Sequence, residues 1–307
     1  MESRAVRIAV LIKQVPETGS VRMDRETGTV VRDGVEAIVN PLDLYAVETA
    51  LTVRERVGAG DVVALTMGPP SAAEALREVL SMGVDQGVLV SDPAFAGSDT
   101  WATSRILSRA LEKLGGFDLI VCGERATDGD TGQVGPGVAA FLRLPLVAYA
   151  NRFHGVSASN GTIGLSRLLD TGEERVEAPL PALLTVVKEI ASPRLPTLRG
   201  KRRARSAEIA VLSNENLELP SNEVGLKGSP TRVAKVFSPK VARDCEMAEA
   251  DSPEGMERAV ERLLKRFGSL LGTAEKTPRE DGPATLPTER IPAAPSRAPS
   301  EGGAVFV

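Results

Sequence analysis

Strand-length apolar runs that alternate with stretches of helical period constrain this chain more than any other feature. Val6–Ile12 is an apolar run broken only by Arg7, and shorter ones recur at Val62–Thr66, Gly87–Val90, Leu119–Cys122 and Leu146–Ala150. Runs without polar alternation suit strands buried on both faces. Between them, Pro41–Val57 opens with Asn40 as N-cap and Pro41 at the first helical position. It carries Leu44, Val47 and Leu51 on one face and ends at Gly58 and Gly60. Ser71–Met82 sets Ala75, Leu76, Val79 and Leu80 at helical spacing before Gly83, and Thr100–Leu114 runs into Gly115-Gly116. Such alternation implies parallel strands joined by right-handed crossovers, hence an α/β fold with a doubly wound, mostly parallel sheet over Val6–Ala150.

The texture then changes. Gly161–Leu169 and Arg175–Ile190 read as paired strands that add antiparallel edges, and Val21–Val35, with turn signals at Asp24–Gly28 and Arg32–Gly34, reads as a small β excursion. From Ser192 the chain is rich in proline and arginine and is expected to be extended. Glu254–Leu271 repeats Met256, Val260, Leu263, Leu264, Phe267 and Leu271 along one stripe, an amphipathic helix suited to docking on the body or on a partner. Its polar face mixes both charge signs, which argues against a membrane surface. Prolines 278, 283, 287, 292, 295 and 299 then punctuate a tail with little to bury. The expected organisation is a nucleotide-binding α/β domain over 1–191, a recognition loop and C-terminal arm with a docking helix over 192–272, and a proline-rich tail over 273–307.

Composition removes several functions. Two cysteines, Cys122 and Cys245, and one histidine, His154, give neither a disulfide framework nor metal-ligand spacing, so a zinc site, a Cys/His nucleophile and a Ser/His/Asp triad are not indicated. With 37 basic against 41 acidic residues and 3% aromatics, the chain does not suit a stacking, phosphate-neutralising nucleic-acid module. No apolar stretch reaches the ~18 residues of a membrane span, and Met1–Ile8 leads straight into a strand without a signal-peptide core, so the expected location is the cytoplasm.

The stretch richest in chemistry is Cys122–Gly137, which follows a strand and precedes the helix-like Val134–Leu142. A glycine-rich loop beyond a strand's carboxyl end lets amides approach a diphosphate, and the next helix N-terminus adds unpaired donors. A plain connecting loop fits the glycines equally well. Asp128 and Asp130 would repel phosphate and are expected to accept from amides or ribose hydroxyls. Lys13–Pro16, Asn40–Asp43, Thr66–Pro70 and Ala96–Thr100 end on the same rim, where Ser98 and Thr100 either cap a helix or bind an anion. Neither a Gly-x-Gly-x-x-Gly turn after the first strand nor a Walker lysine motif is present.

Taken together, Lys13-Gln-Val-Pro, Asn40-Pro-Leu-Asp-Leu-Tyr-Ala-Val-Glu48, Thr66-Met-Gly-Pro, Asp128-Gly-Asp-Thr-Gly-Gln-Val-Gly-Pro136, Arg167-Leu-Leu-Asp-Thr-Gly-Glu-Glu-Arg-Val176 and Leu226-Lys-Gly-Ser-Pro-Thr231 resemble the beta subunit of electron transfer flavoprotein. The likeness runs from Val6 to Phe267, with Leu165, Thr171 and Gly132 departing from the usual residue classes. The resemblance implies a heterodimer with an alpha subunit that holds the electron-transferring FAD. It also implies a second nucleotide site in this chain, holding AMP in respiratory members and FAD near an NADH site in bifurcating and Fix-type members. The Asp-Gly-Asp-Thr version resembles the second group. By carry-over, Leu11, Asn40, Pro41, Leu42, Asp43, Ala64, Leu65, Thr66, Met67, Ala126, Thr127, Asp128, Gly129, Asp130, Thr131, Gly132, Gln133, Val134, Gly135, Pro136 and Gly137 surround the adenylate part.

The implied partners are an acyl-CoA dehydrogenase-like protein or a quinone reductase, with a ferredoxin or flavodoxin as a low-potential acceptor. Pro193–Arg205 reads by itself as a solvated basic linker. By resemblance it is a recognition loop with Leu198 as apolar anchor beside Arg199, and arginines around an exposed leucine suit an acidic partner. No residue is expected to act as acid, base or nucleophile. Cys122 is expected as a buried thiol, Trp101 as packed beneath its helix, and His154 as exposed in a turn.

Overall fold

The computed structural model describes residues 5–17, 22–23, 30–31, 37–157, 160–233, 251–271 and 288–290. The turns at Asp24–Gly28 and Arg32–Gly34, Cys245, and all of the tail except 288–290 lie outside them. In chain order the strands are β1 (Val6–Leu11), β2 (Gln14–Pro16), β3 (Arg22–Met23), β4 (Val30–Val31), β5 (Ala37–Val39), β6 (Gly60–Met67), β7 (Gln86–Val90), β8 (Leu119–Gly123), β9 (Leu146–Ser157), β10 (Thr162–Leu169), β11 (Gly172–Pro179), β12 (Ala182–Val186), β13 (Ile209–Leu212) and β14 (Thr288–Arg290). The helices are α1 (Pro41–Val57), α2 (Ala73–Met82), α3 (Thr100–Leu114), α4 (Val134–Leu142), α5 (Leu198–Ser206), the short α6 (Asn214–Leu217) and α7 (Gly225–Gly228), and α8 (Pro253–Leu271).

Ten strands form one sheet in the order β13-β7-β6-β1-β8-β12-β9-β10-β11-β14. It is parallel from β13 to β9, then antiparallel through β10 and β11. The α/β, doubly wound reading and its antiparallel extension therefore hold. One apolar cluster packs on each face, with α1 and α2 side chains among the first and α3 and α4 side chains among the second. Local chemistry sets the boundaries: Pro41 starts α1, and Gly58 ends it in the left-handed region at φ 84°.

Three expectations are corrected. Arg175–Ile190 is not one strand: Pro181 interrupts it, and Ala182–Val186, buried at every position, runs parallel inside the sheet between β8 and β9. The basic segment is not extended throughout. Leu198–Ser206 is helical, because lysine, arginine and alanine favour helix and the Thr197 hydroxyl accepts the Gly200 amide at 2.9 Å. Asn40 caps no helix with its side chain.

The chain divides into two compact units, one of Met1–Ala234 with Leu286–Val307 and one of Lys235–Thr285. The second contains α8, whose Met256, Val260, Leu263, Leu264 and Phe267 are all exposed.

Candidate functional site

The order β7-β6-β1-β8-β12 means that the chain leaves β1 toward one side, through β6 and β7, and returns to its other side at β8. Ligands of open α/β sheets bind beyond the strand carboxyl ends at such a reversal. Here one side chain fastens the two ends. Asp43, buried in the first turn of α1, accepts the Lys13 amide with Oδ2 at 2.7 Å and the Gly123 amide with Oδ1 at 3.2 Å. A Cβ at Gly123 would lie 2.5 Å from Asp43 Oδ1 and 2.9 Å from the Leu42 carbonyl carbon, so this approach of helix to strand requires glycine. Burial pushes the Asp43 carboxyl up to about 7, opposed by its hydrogen bonds to Lys13, Asn40 and Gly123 and by the Lys13 charge.

The fully buried Asn40 holds the loop instead of capping its own helix. Its Nδ2 donates to the Arg125 carbonyl at 2.9 Å, and its Oδ1 accepts the Thr127 amide at 3.2 Å. The loop's two aspartates are each matched with a cation. Lys13 Nζ lies 2.7 Å from Asp128, and Arg125 Nε lies 2.9 Å from Asp130. These pairs occupy only part of what each carboxylate can accept. Pairing also lessens the repulsion that bare carboxylates would exert on a phosphate.

Beyond the loop, Gln133 gives α4 no side-chain cap, so its first amides are left as donors at the positive end of the helix dipole. The Thr66 hydroxyl, at the carboxyl end of β6, is buried without a hydrogen-bond partner. A hydroxyl left so is costly unless something fills its valence, and a bound polar group would do so.

The predicted residues separate into groups. Asn40, Asp43, Thr66 and the loop from Ala126 to Gln133 belong to this carboxyl rim. The Thr100 hydroxyl reaches it by donating to Gln133 Oε1 at 2.8 Å, but the Ser98 hydroxyl turns to the Phe95 carbonyl, and the α3 cap is Asp99. Leu11, Ala64 and Leu65 are buried strand residues. Gly135 and Gly137 serve packing: a Cβ at Gly135 would stand 2.7 Å from Cys122 Sγ and 2.8 Å from Thr185 Cγ2, and one at Gly137 would strike Ser104. Lys13 opens the strand-end segment expected on this rim, whereas nothing in the sequence around Arg125 points to its pairing with Asp130. Among the described residues, no cluster of acidic, histidine or cysteine side chains could hold a metal.

Comparison with known proteins bears on this arrangement. Residues 27–217 match the electron transfer flavoprotein domain. The chain is 44% identical over 262 residues to the electron transfer flavoprotein subunit beta of Thermoanaerobacterium thermosaccharolyticum, covering 85% of this chain and 99% of that one. This chain belongs to the electron transfer flavoprotein beta-subunit family. Two further relatives are 41% identical: subunit CarD of the caffeyl-CoA reductase-Etf complex of Acetobacterium woodii, covering 79% of this chain and 91% of that one, and protein FixA of Azotobacter vinelandii, covering 84% and 93%.

In this electron transfer flavoprotein subunit the basic segment displays Leu195 and Leu198, 86% and 88% exposed. A groove beside Leu198 is lined by Arg199, Arg202, Arg203 and Ser206. Cys122 is a buried thiol, its acidity further reduced by burial and by the Asp43 charge. Trp101 is not beneath its helix: it is 59% exposed and meets Phe141 edge-on at 5.0 Å. His154 is exposed but lies on β9, with Nε2 2.8 Å from Ser166 Oγ. No described helix is long and apolar enough to cross a membrane.

Proposed function

We propose that this chain pairs with an electron transfer flavoprotein alpha subunit and binds, at its β1/β8 crevice, an FAD that takes electrons from NADH. The electrons would divide between a high-potential acceptor and a low-potential one such as a ferredoxin or flavodoxin. The observation that carries this reading is the glycine-rich loop poised before an uncapped helix N-terminus, at the point where the strand order reverses. It is supported by likeness to a subunit of a caffeyl-CoA reductase-Etf complex and to FixA.

The residues present fit such a ligand. The Thr66 hydroxyl offers an unused hydrogen bond, and the α4 amides face negative charge favourably. Lys13 supplies a cation already at the rim. Asn40 sets the path of the loop, and Asp43 fixes the distance between the strand ends that flank the ligand. FAD, when bound, supplies the exchange between a two-electron donor and one-electron acceptors. This chain binds and orients, with no acid, base or nucleophile of its own in the reaction. The exposed Leu198 with Arg199 would dock an acyl-CoA dehydrogenase-like partner bearing acidic groups, the arginines steering encounter and the leucine desolvating on contact.

Co-expression with the alpha chain, followed by nucleotide extraction, tests the cofactor. Two FAD per heterodimer are expected, whereas one FAD with one AMP refutes bifurcation by this subunit. Leu198→Ala tests the docking: transfer to a purified acyl-CoA dehydrogenase should slow while the bound nucleotide is unchanged, and equal kinetics reject that role.

A further inference from the structure

The docking segment stands proud of the fold, yet it is held at both ends. At its far end α5 is fixed to the end of α2. Arg203 Nη2 donates to the Leu80 and Val84 carbonyls at 2.9 and 2.6 Å, and Arg77 Nη1 donates to the Ala204 carbonyl at 2.8 Å. Gly200 runs so close to this junction that a Cβ there would strike the Ser81 carbonyl oxygen.

At its near end a single guanidinium does the holding. Arg194 meets Glu48 of α1 through Nε at 2.8 Å and Nη2 at 2.9 Å, and Glu55, two turns along the same helix, through Nη1 at 2.6 Å and Nη2 at 3.1 Å. Its own amide also donates to Glu48 at 3.0 Å. Glu48 is nearly buried and Arg194 is two-thirds covered, so these bonds are less screened than those of a surface pair. The next residue is the exposed Leu195, and Leu198, the first residue of α5, follows three positions on.

We propose that Arg194 is a positioning residue for partner docking: by gripping Glu48 and Glu55 it anchors the start of the exposed Leu195–Leu198 segment to α1, the helix whose first turn also shapes the nucleotide crevice. The inference rests on the reading of Leu198 as the docking anchor. Unanchored, the two leucines would have to be ordered on each encounter, which weakens binding without changing any atom of the contact. Arginine suits the place because its rigid fork makes four side-chain hydrogen bonds to the two carboxylates at once, more than the three donors of a lysine ammonium could supply.

The test uses the heterodimer with its alpha subunit, a purified acyl-CoA dehydrogenase from the same organism, and a small dye acceptor that needs no docking. Arg194→Gln is expected to raise the KM for the dehydrogenase about threefold to tenfold, with kcat, dye reduction and bound nucleotide unchanged. Glu55→Gln, at an exposed position that threatens folding least, should raise KM in the same direction by less, and Arg194→Lys should fall between wild type and Arg194→Gln. Combined with Leu198→Ala, Arg194→Gln should add little, because the anchor it positions is already gone. Wild-type KM in Arg194→Gln beside a raised KM in Leu198→Ala overturns this inference alone. Wild-type KM in Leu198→Ala overturns the docking reading and this inference with it.

Discussion

Asp43 should make the stability of this chain fall as pH rises from about 4 to about 7, opposite to the usual behaviour of a paired carboxylate. Its carboxyl moves from an ordinary 3.8 to about 7 on folding, chiefly because it is buried. Each tenfold in proton affinity is worth about 1.4 kcal/mol, so the protonated form favours the folded state by roughly 4 kcal/mol. A raised folded value means that this contribution is complete below the unfolded value and is lost as pH climbs through the folded one; about 2.5 kcal/mol of it falls between pH 5 and pH 8. Asp43→Asn removes the titration. It also turns an amide nitrogen toward either the Lys13 or the Gly123 N–H, so the variant is less stable by about 1–3 kcal/mol near neutral pH. The informative quantity is therefore the pH slope and not the offset. Urea denaturation of both full-length chains in steps from pH 5 to 8 should show the wild type losing stability relative to the variant by the amount above. Parallel curves would refute the reasoning, since they would mean that the carboxyl is ionised throughout and that the two amides outweigh burial.

Three further outcomes follow from the same geometry. Asn40→Ala removes both loop hydrogen bonds and should cost about 2 kcal/mol, with faster hydrogen exchange at 124–130 and weaker nucleotide retention on gel filtration. Gly135→Ala forces a methyl against Cys122 and Thr185 and should destabilise by about 1–3 kcal/mol, read as a lowered Tm. In a Cys245→Ser background, Cys122 should resist an aromatic disulfide reagent at pH 8 until urea unfolds the chain, because the buried thiol stays protonated.

Much of the fold could be read from punctuation. Proline at the start of α1 and glycines after α1, α2 and α3 mark boundaries that the structure reproduces, and four of the parallel strands appear as unbroken apolar runs. What stayed hidden depends on partners far along the chain. The Lys13–Asp128 pair spans 115 residues and exists only because the topology sets β1 beside β8. Asn40 has the residue type of a helix cap, and nothing local reveals that its amide is turned to a loop 85 positions away. Helix α5 lacks an apolar stripe, so periodicity missed it, although the Thr197 cap and the helix-forming charged residues were visible. Glycines 135 and 137 also meet Cys122, Thr185 and Ser104 too closely for a Cβ, a demand made by residues far along the chain that sequence alone does not display.

The chain contains a single tryptophan, and Trp101 stands out from α3 one residue after the threonine that is hydrogen-bonded to Gln133 of the loop. Its emission thus originates beside the crevice rim, and a solution titration can follow that rim by the colour and brightness of native fluorescence, without an attached dye.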